Sequence, residues 1–485
     1  MKTRTTLLLA VLLLTTAPAL LAHSGKARFH LIVDTDGAAD DLRTLCMLLG
    51  NREAEVLAVT ACEGALTPHE AADRAAALLA ALRHEGIPVG EGRSVGAPEP
   101  LWRAHSRLID WGPAPDPARE YPAATELLAE ALRGEEERVV IVALGALTNL
   151  GDLLRQHPEL GQRIERIVWY DSATLPPSGA NCRTDRTSAR RVLASGVPVE
   201  IVAASSEAPV FVTETLLDTI ARIPTPHARR IVRTHRTEPL AQLVAARHLQ
   251  IWDELAALRL YAPELFTEER TGSFCRCVLA GEEAAQRVPE AVAAILRGKP
   301  DAESRVFYGF PTGGSLYAAD VAPIVGEAIA RHGASEWRAA VLTNELHGHL
   351  GIYATIGVKM GIRAREYFDI GVDDIEVTTY AGSRPPVSCM NDGLQVGTGA
   401  TVGHGLITVA EVDRPRPEAV FRFKDKTLRL TLKPEYADRI RKDVQRGIAC
   451  YGDLTEPYWQ YVRELALRYW LDFDRHEIFA MRAGE

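Results

Sequence analysis

From residue 27 onward the chain alternates short apolar runs with amphipathic stretches. Phe29 to Val33 reads as a buried strand, and Asp40 opens a helix that runs through Leu49 and stops at Gly50-Asn51. Val56 to Ala61 predicts a second strand, and Glu70 to Arg83 an Ala/Leu-rich helix that ends before Gly86-Ile87-Pro88. Val139 to Leu144, Ile164 to Tyr170 and Val199 to Ala203 supply three more strands, with a helix after Thr148 and another over Ser188 to Ser195. Repeated βα units of this kind predict an α/β fold, a mostly parallel open sheet with helices on both faces. Ligands of such sheets bind beyond the carboxyl ends of the strands.

The texture then changes. Residues 267–335 hold Cys275-Arg276-Cys277, a helical stretch from Pro289 to Leu296 and a Gly-containing loop from Gly309 to Gly314; they read as the tail of the first domain and a connector. From about residue 336, a helix (Ile352 to Arg363), strand-like runs (Ile375 to Tyr380, Glu418 to Phe423, Thr427 to Leu432) and Gly-rich turns predict a smaller α+β domain. The expected division is residues 1–22, 23–335 and 336–485. The first 22 residues have the form of a secretory leader: Lys2 and Arg4, then the unbroken apolar run Leu7 to Leu14, then small residues at Ala17-Pro18-Ala19 and Leu21-Ala22. Export to the periplasm or the medium is the expectation, with no membrane association once the leader is removed.

Composition refines this picture. Across 485 residues 47% are hydrophobic and 25% charged, ordinary values for globular chains long enough for two or three domains. The formal charge of -9, with signs interspersed, excludes the basic face of a nucleic-acid-polymer binder. Seven cysteines are too few and odd in number for a disulfide scaffold; one pair has the option of bridging, and at least one thiol is left over.

The sharpest chemical signal is Asp34-Thr35-Asp36-Gly37-Ala38-Ala39-Asp40-Asp41, four carboxylates in eight residues where a strand gives way to a helix. Helix capping and the helix dipole explain one or two aspartates at that place, but not four. Crowded carboxylates raise one another's pKa, and a hard cation such as Ca²⁺ or Mg²⁺ removes that penalty. A phosphatase of the haloacid dehalogenase type also carries Asp-x-Asp after a strand, but Ala38 stands where it needs Thr or Val.

With these residues the sequence resembles the inosine–uridine nucleoside hydrolase family, which opens with Asp-Thr-Asp-Pro-Gly-x-Asp-Asp. Three further stretches carry the resemblance in the same order: Gly145-Ala146-Leu147-Thr148-Asn149, Asn181-Cys182-Arg183-Thr184-Asp185, and Trp252-Asp253-Glu254-Leu255-Ala256 followed by Pro263-Glu264. The resemblance implies a Rossmann-like sheet and a Ca²⁺-dependent hydrolysis of N-glycosidic bonds. It implies that Asp36, Asp41 and Asp253 ligate the ion, with Thr148 through its carbonyl, and that Asp36 also takes a proton from the attacking water. Asp40 and Asn181 would hold ribose hydroxyls. There are departures. Trp252 stands where the family has a His, a candidate acid for the leaving group, and offers either a stacking face or a packing residue. Ala65 replaces a ribose-binding Asn, Gly179 a Glu, and Asp171-Ser172 a Gly-Gly pair. The metal shell is kept while the sugar shell is partly replaced, which points to a substrate other than an ordinary nucleoside or to weak activity.

A second signal lies in His347-Gly348-His349, followed by Cys389-Met390-Asn391-Asp392 and Thr398-Gly399-Ala400-Thr401-Val402-Gly403-His404-Gly405. His-x-His with a distant Cys suits Zn²⁺ or another transition metal, although a His pair and a Gly run are also ordinary surface and turn chemistry. Here the chain resembles the E-type domain of formylmethanofuran dehydrogenase over roughly 336–480. The resemblance implies a pocket of His347, His349, Cys389 and Asp392 holding a metal or a reactive thiol. A thiolate beside two imidazoles would have a lowered pKa. The expected protein is therefore an exported hydrolase of small-molecule ribosides with an accessory metal or thiol domain and the option of homo-oligomerisation. Its rivals are a sugar- or nucleoside-binding protein that has lost catalysis, and a transition-metal or redox enzyme centred on the second domain.

Overall fold

The computed structural model describes residues 27–116, 118–298, 306, 309–372 and 375–484; the leader lies outside the described residues. Eight strands form the first sheet: β1 (Phe29–Thr35), β2 (Ala54–Ala61), β3 (Val89–Glu91), β4 (Val139–Ala143), β5 (Ile164–Tyr170), β6 (Val199–Ala203), β7 (Phe266–Thr271) and β8 (Phe274–Leu279). Their order is β3-β2-β1-β4-β5-β6-β8-β7, parallel throughout except for the antiparallel edge strand β7. This is the mostly parallel, helix-flanked sheet that the apolar runs predict. Alternate residues of β1 enter different cores: Phe29, Leu31 and Val33 pack on one face and Ile32 on the other. A strand buried on both faces reads as a continuous apolar run, which is why β1, β4, β5 and β6 are legible in the sequence.

The stretch around Cys275-Arg276-Cys277, read as part of the tail of the first domain, forms the β7–β8 hairpin that completes the first sheet, followed by one helix over Gly281–Arg297. The outer face of β7 is exposed, so its sequence lacks the apolar signature.

A second, five-stranded sheet comprises β9 (Glu376–Thr379), β10 (Ile407–Val409), β11 (Glu418–Phe423), β12 (Lys426–Leu432) and β13 (Phe479–Gly484), ordered β10-β9-β11-β12-β13. Its core gathers Ile356, Met360, Leu394, Phe421, Leu430 and Tyr469. The helices Ile352–Phe368 and Met390–Thr398 meet almost backbone to backbone: a Cβ on Gly357 would lie 2.1 Å from the Met390 carbonyl oxygen, and one on Gly393 2.0 Å from that of Ala354. Upstream of residue 336, Val321, Val325 and Ala328 pack with Trp337, Val358, Ile362 and Trp470 of this second unit.

The two units are joined by charged contacts. Arg363, buried in the helix Ile352–Phe368, donates to both carboxylate oxygens of Glu85 at 3.0 Å and to the Arg83 carbonyl at 3.2 Å. Gly86 N–H donates to the Tyr367 carbonyl at 2.8 Å, and Lys424 reaches from the second sheet to Glu55 and Glu135.

Candidate active site

The order of the first sheet reverses between β1 and β4, the switch point at which open α/β sheets bind ligands. Asp36 follows β1 directly, and the turn Leu144 to Leu147 leaves β4 beside it: Leu144 N–H donates to the Asp34 carbonyl at 2.8 Å. Asp40 and Asp41 open the helix Ala39–Leu49, while Asp253 precedes the helix Glu254–Tyr261. Oxygens of Asp40, Asp41 and Asp253 lie within 4.8 Å of one another. Asp36, also buried, is close enough for Asp40 and Asp41 to act on its charge.

Asp41 is fixed by its own loop. It accepts from the Thr35 hydroxyl at 2.5 Å, from Asp36 N–H at 3.0 Å and from Ala38 N–H at 3.1 Å. It therefore caps the helix and belongs to the cluster at once. Asp36 accepts from the backbone N–H groups of Ala65 and Ala38. Below it, Asp34 accepts from Thr60 at 2.6 Å and from the Asn149 amide at 2.8 Å, while its second oxygen is buried without a partner.

All four clustered carboxylates are pushed above the ordinary aspartate range. For Asp36 and Asp253 the rise is large, first from burial and then from the neighbouring aspartates. Burial followed by Asp41 takes Asp40 to about 7, and burial raises Asp41 against its hydrogen bonds. The mutual repulsion expected from sequence is present, with burial as the larger cause. The nearest cation, Arg43, forms a buried ion pair with Glu254, donates to His235 Nε2 at 2.8 Å and to the Gln250 carbonyl at 3.1 Å. Its charge also acts on Asp40 and Asp253, but one guanidinium shared with Glu254 does not balance four carboxylates. Oxygen donors crowded in this way fit a hard divalent ion, which takes the place of protons on them.

The other expected residues divide. Thr148 is buried in the first helical turn after β4, its hydroxyl donating to Asp185 at 3.1 Å. Asn181 directs both amide hydrogens at backbone, donating to the Leu144 carbonyl at 2.8 Å and the Tyr170 carbonyl at 3.0 Å. It ties the ends of β4 and β5 together and keeps only its Oδ1 for a ligand. Trp252 is 38% exposed, with part of its ring open to solvent. Gly179 lies against Asp171, which accepts from Gly179 N–H at 2.9 Å and Cys182 N–H at 3.1 Å; a Cβ at 179 would fall 2.4 Å from the Asp171 carboxylate. Asp171 therefore fills the place of a larger side chain at 179.

Sequence reasoning missed Glu254, His235, Glu63 and Tyr170. His235 is locked neutral: Nδ1–H donates to the Ile231 carbonyl at 2.8 Å, Nε2 accepts from Arg43, and burial with the Arg43 charge takes its pKa down to about 3. Glu63, buried, accepts from the Ser94 hydroxyl and from Val95 and Gly96 N–H, pinning the loop beside Asp36. Tyr170 ends β5 close to Asp253 and Asp40, and burial followed by those charges raises its phenol. Only the adjacency of Glu254 to Asp253 was visible in the sequence.

In the second unit, His347 Nδ1 pairs with Asp392 at 2.7 Å, and the His347 and His349 rings lie 4.4 Å apart. His347 Nε2 is buried without a partner, against Gly351. These residues and Cys389 are not among the clusters whose ligand atoms all fall within 4.8 Å of one another in the described residues. The lowered thiol pKa expected for Cys389 is corrected: burial, then the Asp392 charge, raise it. His349 lines a groove of about 700 Å³ with Trp459, Val462 and Arg463.

Comparison with known proteins follows the same division. The profile of FmdE, molybdenum formylmethanofuran dehydrogenase operon, matches residues 346–480. The chain is 35% identical over 184 residues to the pyrimidine-specific ribonucleoside hydrolase RihA of Salmonella paratyphi A, covering 35% of this chain and 58% of that one. It is 30% identical over 259 residues to RihA of Shewanella baltica, covering 49% and 79%. It thus spans little more than half the length of the Salmonella relative. Among solved structures, the purine-preferring ribonucleoside hydrolase from Gardnerella vaginalis overlaps 55% of this chain and 99% of its own, at 18% identity and a TM-score of 0.46. An inosine-guanosine nucleoside hydrolase overlaps 56% and 100%, at 18% identity and 0.47. The profile of the inosine-uridine preferring nucleoside hydrolases matches residues 31–304, more than half of the chain, and the chain belongs to that family.

Proposed function

We propose that the protein is an exported, Ca²⁺-dependent N-glycosyl hydrolase of ribonucleosides or related ribosides. One observation carries the reading: carboxylates distant in sequence, Asp40 and Asp41 on one side and Asp253 on the other, converge at the switch point of the sheet with Asp36 beside them, more negative charge than Arg43, shared with Glu254, balances. Asp36, Asp41 and Asp253, with the Thr148 carbonyl, would hold the ion. When bound, it activates water and balances charge. The chain's own residues do the rest. Asp36, oriented by the Ala65 and Ala38 N–H groups, accepts the proton of the attacking water. Asp40 and Asn181 Oδ1 accept hydrogens from ribose hydroxyls. The carboxylates stabilise the positive charge that develops on the sugar as the C–N bond breaks. The second unit, with its His347–Asp392 pair, is proposed as an accessory metal or thiol domain. Pyrimidine preference in the RihA relatives makes uridine the first substrate to test.

Purified protein assayed on ribonucleosides should lose turnover in chelator, regain it with Ca²⁺, and lose it in Asp36→Asn. Turnover that persists in chelator, or in Asp36→Asn, refutes the mechanism.

A further inference from the structure

We infer that Arg103 is a positioning residue for the proposed hydrolysis, a guanidinium that locks the Gly64–Ala65 peptide with its N–H aimed at Asp36. The inference rests on the hydrolase reading above and adds a residue to the machinery of the same site.

Three observations carry it. The first is the use of one peptide unit from both ends. The Ala65 N–H donates to Asp36. The Gly64 carbonyl, which belongs to the same trans peptide, accepts from Arg103 Nη2 at 2.9 Å. The N–H and C=O of a trans peptide point in opposite directions, so Arg103 holds one end and Asp36 sits at the other. Nε of the same guanidinium donates to the next carbonyl, that of Ala65, at 3.2 Å. A planar fork on two successive carbonyls fixes the rotation of the peptide between them. A cation at the carbonyl end also polarises the unit and strengthens its N–H as a donor.

The second is the freedom that the fork removes. Glycine at 64 widens the rotations open to the peptide that follows it. A peptide turned over would present the Gly64 carbonyl oxygen to Asp36 in place of the Ala65 N–H. Glycine is nonetheless required, since a Cβ at 64 falls 2.0 Å from Asp36 Oδ2. The site therefore needs glycine for room and a clamp against its freedom. The third is how Arg103 uses its donors. It is buried at the start of the short helix Arg103–Ser106, in the segment that follows β3. Its short contacts go to backbone carbonyls, while the Glu63 carboxylate lies 3.9 Å away. Glu63 in turn holds Ser94, Val95 and Gly96 of the same segment. The turn 63–66 is thus fixed to Asp36 on one side, where Leu66 N–H also donates to the Asp36 carbonyl at 3.0 Å, and to the segment after β3 on the other.

The test uses the full chain with Ca²⁺ on uridine and on p-nitrophenyl β-D-ribofuranoside, whose released phenolate is read by its colour. Arg103→Ala is expected to lose roughly 10- to 100-fold in kcat/KM, and to bind Ca²⁺ more weakly by a similar factor in calorimetry, as the loss of a partner behind a metal ligand does. N-ethylguanidinium, the severed part of the side chain, should restore both saturably; ethylammonium, a cation without the fork, should restore neither. In Asp36→Asn the same substitution should change Ca²⁺ affinity less than about twofold, because the group that Arg103 positions is already altered. Arg103→Lys decides if the alanine variant lacks the wild-type thermal transition, and is expected to lose about tenfold or more in kcat/KM. Wild-type kcat/KM in Arg103→Ala overturns the inference and leaves the hydrolase reading standing. So does full activity of Arg103→Lys, which would show that charge alone suffices. A loss of Ca²⁺ affinity as large in Asp36→Asn as in the wild type marks general damage to the fold and also overturns it. Wild-type protein that turns over neither substrate overturns the hydrolase reading itself.

Discussion

Gly64→Ala tests how tightly the site holds its proton acceptor. A Cβ built on Gly64 falls 2.0 Å from Asp36 Oδ2, 2.6 Å from its Cγ and 2.7 Å from its Cβ. Ordinary contact needs about 3.4 Å or more, so the Asp36 carboxylate has to move by about 1 Å. The move pulls it off the Ala65 and Ala38 N–H groups that orient it. Gly64 has an ordinary negative φ, so alanine brings no backbone strain and the effect is steric. A misplacement of about 1 Å costs on the order of 10²-fold in rate, or about 2.7 kcal/mol at about 1.36 kcal/mol per decade. The expected outcome is a fall of about 10²-fold in kcat/KM with the cooperative thermal transition retained. Gly134→Ala, where a Cβ meets nothing within 4 Å, is the control and should leave kcat/KM unchanged. Steady-state kinetics on the nitrophenyl riboside reads both. Gly64→Ala activity within twofold of wild type, while Asp36→Asn is inactive, would show that Asp36 needs no fixed position.

Chelation should lower the melting temperature, since an ion at about 100 Kd stabilises by about 2.7 kcal/mol; Asp253→Asn, with one repelling charge removed, should lose less, and a melting temperature indifferent to chelator contradicts the cation site. Asn181→Asp cannot donate to the Leu144 and Tyr170 carbonyls, and urea unfolding should show a loss of about 2 kcal/mol; an unchanged midpoint would count against the tie between β4 and β5. Arg363→Ala removes the two-oxygen contact with Glu85 and should make the junction between the units cleavable in limited proteolysis, at a cost of about 2 kcal/mol; an unchanged digestion pattern argues against that clamp. Glu135 is held at about 2, because its hydrogen bonds with His30 and Lys424 outweigh burial. A depressed carboxyl contributes stability above its ordinary value of 4.5 and loses it as pH falls towards 2, so the difference in melting temperature between wild type and Lys424→Met should shrink between pH 6 and pH 3. A constant difference would remove Glu135 from the pairing.

Much of the first sheet was legible because burial on both faces writes unbroken apolar runs: β5 and β6 match their sequence limits, and the acidic turn after β1 announced chemistry. Less legible was whatever depends on one exposed face or on distant partners. The β7–β8 hairpin has an exposed outer strand, and β13, the last strand of the second sheet, exposes nearly every residue. The sequence by itself determined the residue types, the four aspartates and the βα alternation, since these follow from local composition and period. Tertiary structure alone decided which aspartates share a site, that Arg43 pairs with Glu254 at the edge of the cluster, that Asn181 works on the backbone, and that the Cys389 thiol is raised rather than lowered. Charge and hydrogen-bond capacity are taken up by whichever neighbours the fold brings within a few ångströms, and neighbours distant in sequence leave no local trace.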